Sequence, residues 1–282
     1  PAGVSTTTPV VTDTPDASSA DSSIQDENSE SSPELAKLRT IVIRPENEAV
    51  QTTIFKFSRL GEQRQFVAVG GDGSVSGDGQ VAWHENTGSG NFNSTPKKIN
   101  TAGDDFNSVY AADIDGDGKL DVLAANSGST DNVSWYKNNG NGNFGTQQII
   151  NNTNAEVNGA FNVYAADLDN DGDLDVMLAS DSNDTISWYE NDGNGNFDTQ
   201  KVIDNGADGA RRVYAVDFNG DGYLDILAAA RNDANSVTWY QNLGSGNFGG
   251  AQTIVTNAIG SRSAYAADLD GDGDMDVIST NP

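Results

Sequence analysis

The chain contains no cysteine. That excludes a disulfide framework, a thiolate metal site and a cysteine nucleophile. It holds a single histidine, His84, so imidazole acid–base chemistry and histidine metal ligation have almost no material. Positive charge is scarce: 15 Lys and Arg stand against 42 Asp and Glu, a formal net charge of −27. A surface that acidic repels phosphate backbones and anionic lipid and attracts divalent cations, so nucleic acid is excluded as a partner. No apolar run approaches the roughly 18 residues that a membrane-crossing helix needs. The chain opens at Pro1 without a methionine or an apolar targeting segment, and the expectation is that any export signal has been removed.

What is present falls into two parts. Residues 1–37 form a leader rich in Ser, Thr and Asp, with no aromatic residue. Such a stretch cannot bury enough apolar area to offset its ordering entropy. Its patch Thr6–Thr12 is β-branched enough to donate a strand if an edge is offered. Residues 38–282 repeat themselves. Trp83, Trp135, Trp188 and Trp239 recur at intervals of 52, 53 and 51 residues. Each opens the pattern Trp-(Tyr/His)-x-Asn-x-Gly-x-Gly-Asn-Phe, and Tyr-Ala-x-Asp recurs from Tyr110, Tyr164, Tyr214 and Tyr265. Each unit reads as four short strands separated by Asp/Asn/Gly turns, with no capped helical periodicity. Tandem four-stranded units of this length predict an all-β propeller. About 245 residues at about 51 per unit allow about five blades, one of them composite or incomplete. Leu38–Arg44 is the spare strand expected to share a blade with Tyr265–Thr280, the remaining gap being filled by the leader near Val10–Val11.

Four hairpin loops carry the chemistry, and they share one spacing. They present Asp113, Asp115, Asp117 and Asp121; Asp167, Asp169, Asp171 and Asp175; Asp217, Asn219, Asp221 and Asp225; and Asp268, Asp270, Asp272 and Asp276. Oxygen donors at positions 1, 3, 5 and 9, with glycine at position 6 for the sharp turn, suit a hard cation. The backbone carbonyl at position 7 (Lys119, Asp173, Tyr223 and Asp274) is the natural further ligand. Plain hairpin turns explain one or two acids per loop but not four at fixed positions, which would repel one another at short range without a cation. An EF-hand needs a glutamate at position 12 and flanking helices, and Mg²⁺ demands a near-ideal octahedron, so Ca²⁺ is the expected ion, about one per loop. Four such ions would take the formal charge from −27 to −19. With Asn219 in place of an acid, the loop 217–225 is expected to bind most weakly.

The Asp-x-Asp-x-Asp-Gly-x-x-Asp hairpins, combined with the Trp-Tyr-x-Asn-x-Gly-x-Gly-Asn-Phe strands, resemble the FG-GAP/VCBS repeats of integrin α-chain heads and secreted bacterial surface proteins. The resemblance runs from about Phe66 to Val277. It implies a calcium-binding propeller, secreted or displayed at the cell surface, that serves as an adhesive or assembly module. It departs from the family in its small number of repeats and in the stretch Phe57–Gln65, where the first unit has no calcium acids. The reading is a non-enzymatic structural module that associates with itself or another surface protein, with a self-assembling filament subunit formed by terminal strand exchange as one form. A second reading, from another class, is a lectin-type propeller that stacks glycans on Trp83, Trp135, Trp188, Trp239, Tyr136, Tyr189 and Tyr240. Aromatics at one equivalent position per repeat are more often packing between blades than sugar platforms, and packing is the expectation here. A third reading, the propeller domain of a polysaccharide-active enzyme, lacks an evident catalytic pair.

Overall fold

A computed structural model describes residues 39–43, 52–59, 62–69, 79–88, 91–103, 106–128, 131–150, 157–232, 237–256 and 260–280, the first three segments through their backbone. The leader, with its Thr6–Thr12 patch, lies outside the described residues. Every regular element among the described residues is a strand. The first three are β1 (Arg39–Ile43), β2 (Thr52–Arg59) and β3 (Glu62–Val69), which form one antiparallel sheet. Then come β4 (Gly79–Trp83), β5 (Asn86–Gly88), β6 (Asn91–Phe92) and β7 (Lys97–Gly103), with β4 paired to β7 and β5 to β6.

Three four-stranded meanders follow, each in simple up-and-down order. The first holds β8 (Phe106–Ala112), β9 (Asp121–Asn126), β10 (Asn132–Tyr136) and β11 (Gln148–Ile149). The next holds β12 (Ala160–Ala166), β13 (Asp175–Ser180), β14 (Thr185–Tyr189) and β15 (Lys201–Asp204). The third holds β16 (Ala210–Val216), β17 (Asp225–Ala230), β18 (Val237–Tyr240) and β19 (Gln252–Val255). A two-stranded sheet, β20 (Ser263–Ala267) with β21 (Asp276–Thr280), ends the described chain. These are propeller blades, as the repeat length predicts.

The reason the repeats form strands of this kind is visible in their burial. All six residues of β9, β13 and β17 are buried, so these second strands are covered on both faces and read as continuous apolar runs rather than alternating ones. The outermost strands β15 and β19 are half-buried or exposed. The core therefore lies between the sheets rather than inside any one of them. Leu123, Ala125 and Trp135 of one blade close on Val157, Val163, Val176 and Leu178 of the next. Met177, Ile186 and Trp188 close in turn on Val213, Ile226 and Tyr240. Leu227 and Val237 then close on Ala264 and Ala266. At the inner strands Tyr110, Tyr164, Tyr214 and Tyr265 form a column, with ring centroids 4.5, 5.4 and 4.9 Å apart. At the end away from the Asp loops, Arg211 and Arg231 each lie 3.2 Å from Asp181 and tie the second and third meanders together.

One contact explains the Gly-x-Gly-Asn-Phe spacing. Gly142, Gly195 and Gly246 have φ of +72°, +78° and +66°. A Cβ at each would stand 2.2–2.4 Å from the indole of Trp83, Trp135 or Trp188, the tryptophan of the preceding repeat. The second glycine is thus required both by its left-handed backbone and by the aromatic ring seated against it.

The leader strand expected near Val10–Val11 lies outside the described residues. Arg39–Ile43 pairs with Thr52–Lys56, and β20–β21 stands as a two-stranded, incomplete sheet.

Candidate metal centres in the blade hairpins

Each Asp-rich loop joins the innermost strand of a blade to its second strand, at one end of the stack. The loop is folded by its own first aspartate. Asp113 accepts hydrogen bonds from the N–H groups of Asp117 (3.1 Å) and Gly118 (2.7 Å). Asp167 does so from Asn170 (2.7 Å), Asp171 (3.2 Å) and Gly172 (3.1 Å). Asp217 and Asp268 repeat the arrangement with Gly220, Asp221 and Gly222, and with Gly271 and Gly273. The acid at position 5 accepts from the N–H at position 7, as in Asp171 from Asp173 (2.9 Å) and Asp272 from Asp274 (2.9 Å).

Position 9 is the buried anchor. Asp121, Asp175 and Asp225 are fully buried, and both carboxylate oxygens of each accept backbone N–H groups. Ile114 and Asn138 donate to Asp121 at 3.1 and 2.7 Å, and Leu168 and Asn191 to Asp175 at 2.9 and 3.0 Å. Phe218 and Asn242 donate to Asp225 at 3.2 and 2.7 Å.

In three loops this folding gathers positions 1, 3 and 9 into one cluster. Asp113, Asp115 and Asp121 place one carboxylate oxygen each within 4.8 Å of one another. Asp167, Asp169 and Asp175 do the same, as do Asp268, Asp270 and Asp276. These three groups could hold a metal ion. The aspartates at position 5 (Asp117, Asp171 and Asp272) stand outside the triads, engaged with position 7. In the loop 217–225, Asn219 turns its amide to Asp221, donating at 2.8 Å and accepting that residue's N–H at 3.0 Å.

The electrostatics fit a cation. Burial, only partly offset by the backbone hydrogen bonds and reinforced by neighbouring acids, pushes Asp175 up to about 7 and Asp121 up to about 6. Burial and Asp171 raise Asp169 in the same direction. The side chain of Asp115 is only 8% exposed, yet its Oδ1 has no hydrogen-bond partner. An orphaned carboxylate oxygen beside two further carboxylates is a donor set that a hard ion completes. The exception to the general excess of negative charge is Asp117, which Lys119 holds down at about 2, with Lys137 adding to the effect.

The spacing of the loops did not reveal the residue that joins them. Asn191 donates from Nδ2 to Leu174 O of its own blade (3.0 Å) and to Ile114 O in the preceding blade's loop (2.8 Å). Asn242 likewise bridges Leu224 O (3.1 Å) and Leu168 O (2.7 Å), and Asn138 holds Leu120 O (2.9 Å). Neighbouring loops are therefore stitched together by the Asn of Trp-Tyr-x-Asn. Its fixed place in every copy was the available signal.

The aromatics lie in the core, as their expected role in packing between blades requires. Trp83, Trp135, Trp188, Tyr136, Tyr189 and Tyr240 are all buried, and Trp239 is partly buried against the last sheet. His84 has its Nδ1 3.0 Å from the carbonyl of Asn93.

The sequence pattern described as the FG-GAP-like repeat matches at residues 66–124, 113–178, 167–228 and 217–279. The chain belongs to the FG-GAP-like repeat family. Successive FG-GAP-like matches overlap in the Asp loops, so the family's unit runs from one loop past the next while the folded blade begins one strand earlier. Among solved structures, the chain is similar to an Agrocybe aegerita lectin described as recognising non-reducing terminal N-acetylglucosamine. That match has 21% identity and a TM-score of 0.52, covering 87% of this chain and 61% of the lectin. An exo-β-1,3-galactanase from Phanerochaete chrysosporium, solved with β-1,3-galactotriose, is similar at 12% identity and a TM-score of 0.45, covering 78% of this chain and 50% of the enzyme. The chain thus spans about three-fifths of the lectin's length. No curated protein matches it. No helix among the described residues is long and apolar enough to cross a membrane.

Proposed function

We propose that these FG-GAP-like repeats form a calcium-braced, non-enzymatic structural or adhesive module that works outside the cell. The observation that carries this reading is the recurrence of three aspartate triads at the same end of the sheets, in loops 113–121, 167–175 and 268–276, one of them containing the orphaned Asp115 Oδ1. Calcium would be held by positions 1, 3, 5 and 9 of the four loops, with the backbone carbonyls of Lys119, Asp173, Tyr223 and Asp274. When bound, it supplies positive charge that lets buried carboxylates stay ionised. The chain's own residues do the rest. Asp121, Asp175 and Asp225 hold the first three loops on their strands, and Asn191 and Asn242 couple those loops to one another. Millimolar extracellular calcium suits open loops of this kind, which need not bind tightly.

The face available for association is that of β20–β21. Leu269 and Ile278 are 59% and 47% exposed, whereas their counterparts Leu168, Met177 and Leu227 in earlier blades are at most 1% exposed because the next blade covers them. A further sheet of the same type, from this protein's own chain, a second copy or another surface protein, is the occupant this face fits. Glycan binding is the second reading, supported by the likeness to a lectin fold. It requires residues other than the buried tryptophans and tyrosines.

The test of the calcium reading is thermal unfolding with and without chelator. A ligand that binds only the native state stabilises it by mass action. The melting temperature is expected to fall by several degrees or more on chelation and to return on adding Ca²⁺. An unchanged melt, with metal analysis showing no retained ion, refutes it.

A further inference from the structure

Among the described residues, 113–121 is the one loop of the four met by basic side chains. Lys137, which follows β10 and lies 22 residues from Asp115 in sequence, donates from Nζ to Asp115 Oδ2. The same ammonium stands 3.2 Å from Asp117 Oδ2, and the Lys119 ammonium is 2.9 Å from that oxygen. The residue in Lys137's place is Glu190 in the second meander and Gln241 in the third. The residue in Lys119's place is Asp173, Tyr223 or Asp274. Glu190 is itself neutralised by Lys201. Counting loop acids with these lysines leaves 113–121 at −2, 217–225 at −3, and 167–175 and 268–276 at −5 each. The loop with the orphaned, nine-tenths buried Asp115 Oδ1 is thus also the loop in which Asp115 Oδ2 and Asp117 Oδ2 are already engaged by the chain's own cations.

We infer that Lys137 is a tethered counter-cation that makes 113–121 the low-affinity cation site of the array, so that the blades load in two stages. The inference rests on the calcium reading above. An ammonium on two of the four candidate ligands lowers divalent affinity in two ways. It cancels site charge at short range, and it holds Asp115 and Asp117 in ion pairs that must rearrange for either to ligate fully. A loop so arranged holds its shape without a divalent ion. It fills only at high calcium, whereas 167–175 and 268–276 remain loaded. This ranks 113–121 below 217–225, the reverse of what the acids of each loop alone predict. The deciding side chain comes from a different strand.

The experiment is a calorimetric Ca²⁺ titration of the metal-free full chain. The variants are Lys137→Gln, which installs the residue found at position 241, and Glu190→Lys, which places a lysine at the equivalent position beside the second loop. Lys137→Gln is expected to tighten the weakest site by about tenfold or more, or to add one site, and to leave the tight sites within about twofold. Glu190→Lys is expected to convert one tight site into a weak one. Circular dichroism melts in calcium-free buffer verify that both variants fold. Lys137→Gln and Glu190→Lys isotherms that both superimpose on the wild type overturn the inference while leaving the calcium reading intact. A wild-type chain that takes up no Ca²⁺ overturns both.

Discussion

Replacing Gly142 by alanine tests whether the tryptophan–glycine contact, rather than the calcium loops alone, joins one blade to the next. The loop contains its own control. Gly140 and Gly142 both have positive φ, +90° and +72°. A Cβ at Gly140 would meet only the Lys119 side chain, at 3.8 Å, whereas one at Gly142 would lie 2.2 Å from Trp83 Cζ2 and 2.8 Å from Cη2. The left-handed backbone costs an alanine about 1–2 kcal/mol at either position. At Gly142 overpacking adds about 1–3 kcal/mol, because Trp83 is 6% exposed and its ring lies against Gly142 of the blade that follows. For a chain of this size each kcal/mol moves the midpoint by about 2–4 °C. Gly142→Ala should therefore melt about 2–12 °C below Gly140→Ala. Differential scanning calorimetry at saturating calcium measures the gap. Adding Trp83→Phe, which removes the ring atoms that clash, should make the Gly142→Ala cost smaller than it is in the Trp83 background. Equal melting of the two glycine variants, or a Gly142→Ala cost unaffected by Trp83→Phe, would refute the contact as the joint between blades.

Two further outcomes are expected. In calcium-free buffer, Asp175 and Asp121 have folded-state values near 7 and 6, above the usual 3.8, so the native chain binds more protons than the unfolded chain between about pH 4 and 7. Their contribution to stability is then present at low pH and is lost as the pH rises through that window, by up to about 1.4 kcal/mol per pH unit for each group. Urea midpoints should fall from pH 5 to pH 8 without calcium and lose that decline with it, and a metal-free midpoint that rises over this range would contradict the assignment. Asn191→Ala leaves the buried carbonyl of Ile114 and the partly buried carbonyl of Leu174 without their donor, at a cost of about 1–3 kcal/mol. Asn194→Ala, whose amide reaches only its own loop at Asp192, should cost less than Asn191→Ala in denaturant unfolding. Equal costs would remove Asn191 as the bridge between loops.

The repeat length, the order of strands and the positions of the Asp loops were legible in the sequence because each rests on residues close together in the chain. A hairpin with aspartates at positions 1, 3, 5 and 9 and glycine at 6 is a local object, and its first aspartate folds it through bonds spanning three to five residues. The family resemblance was legible for the same reason, since the motif pair repeats intact. What the tertiary structure decided lies between repeats. Whether Trp135 faces a sugar or the backbone of Gly195, sixty residues later, depends on two sheets meeting face to face, and its sequence neighbourhood is the same in both cases. Asn191 reaches a carbonyl 77 residues away at Ile114, and Lys137 reaches Asp115 across a strand pair. A short-range pattern states which groups a blade can offer. Only close packing against the next blade, where each side chain has one neighbour and no room for another, determines which of them meet.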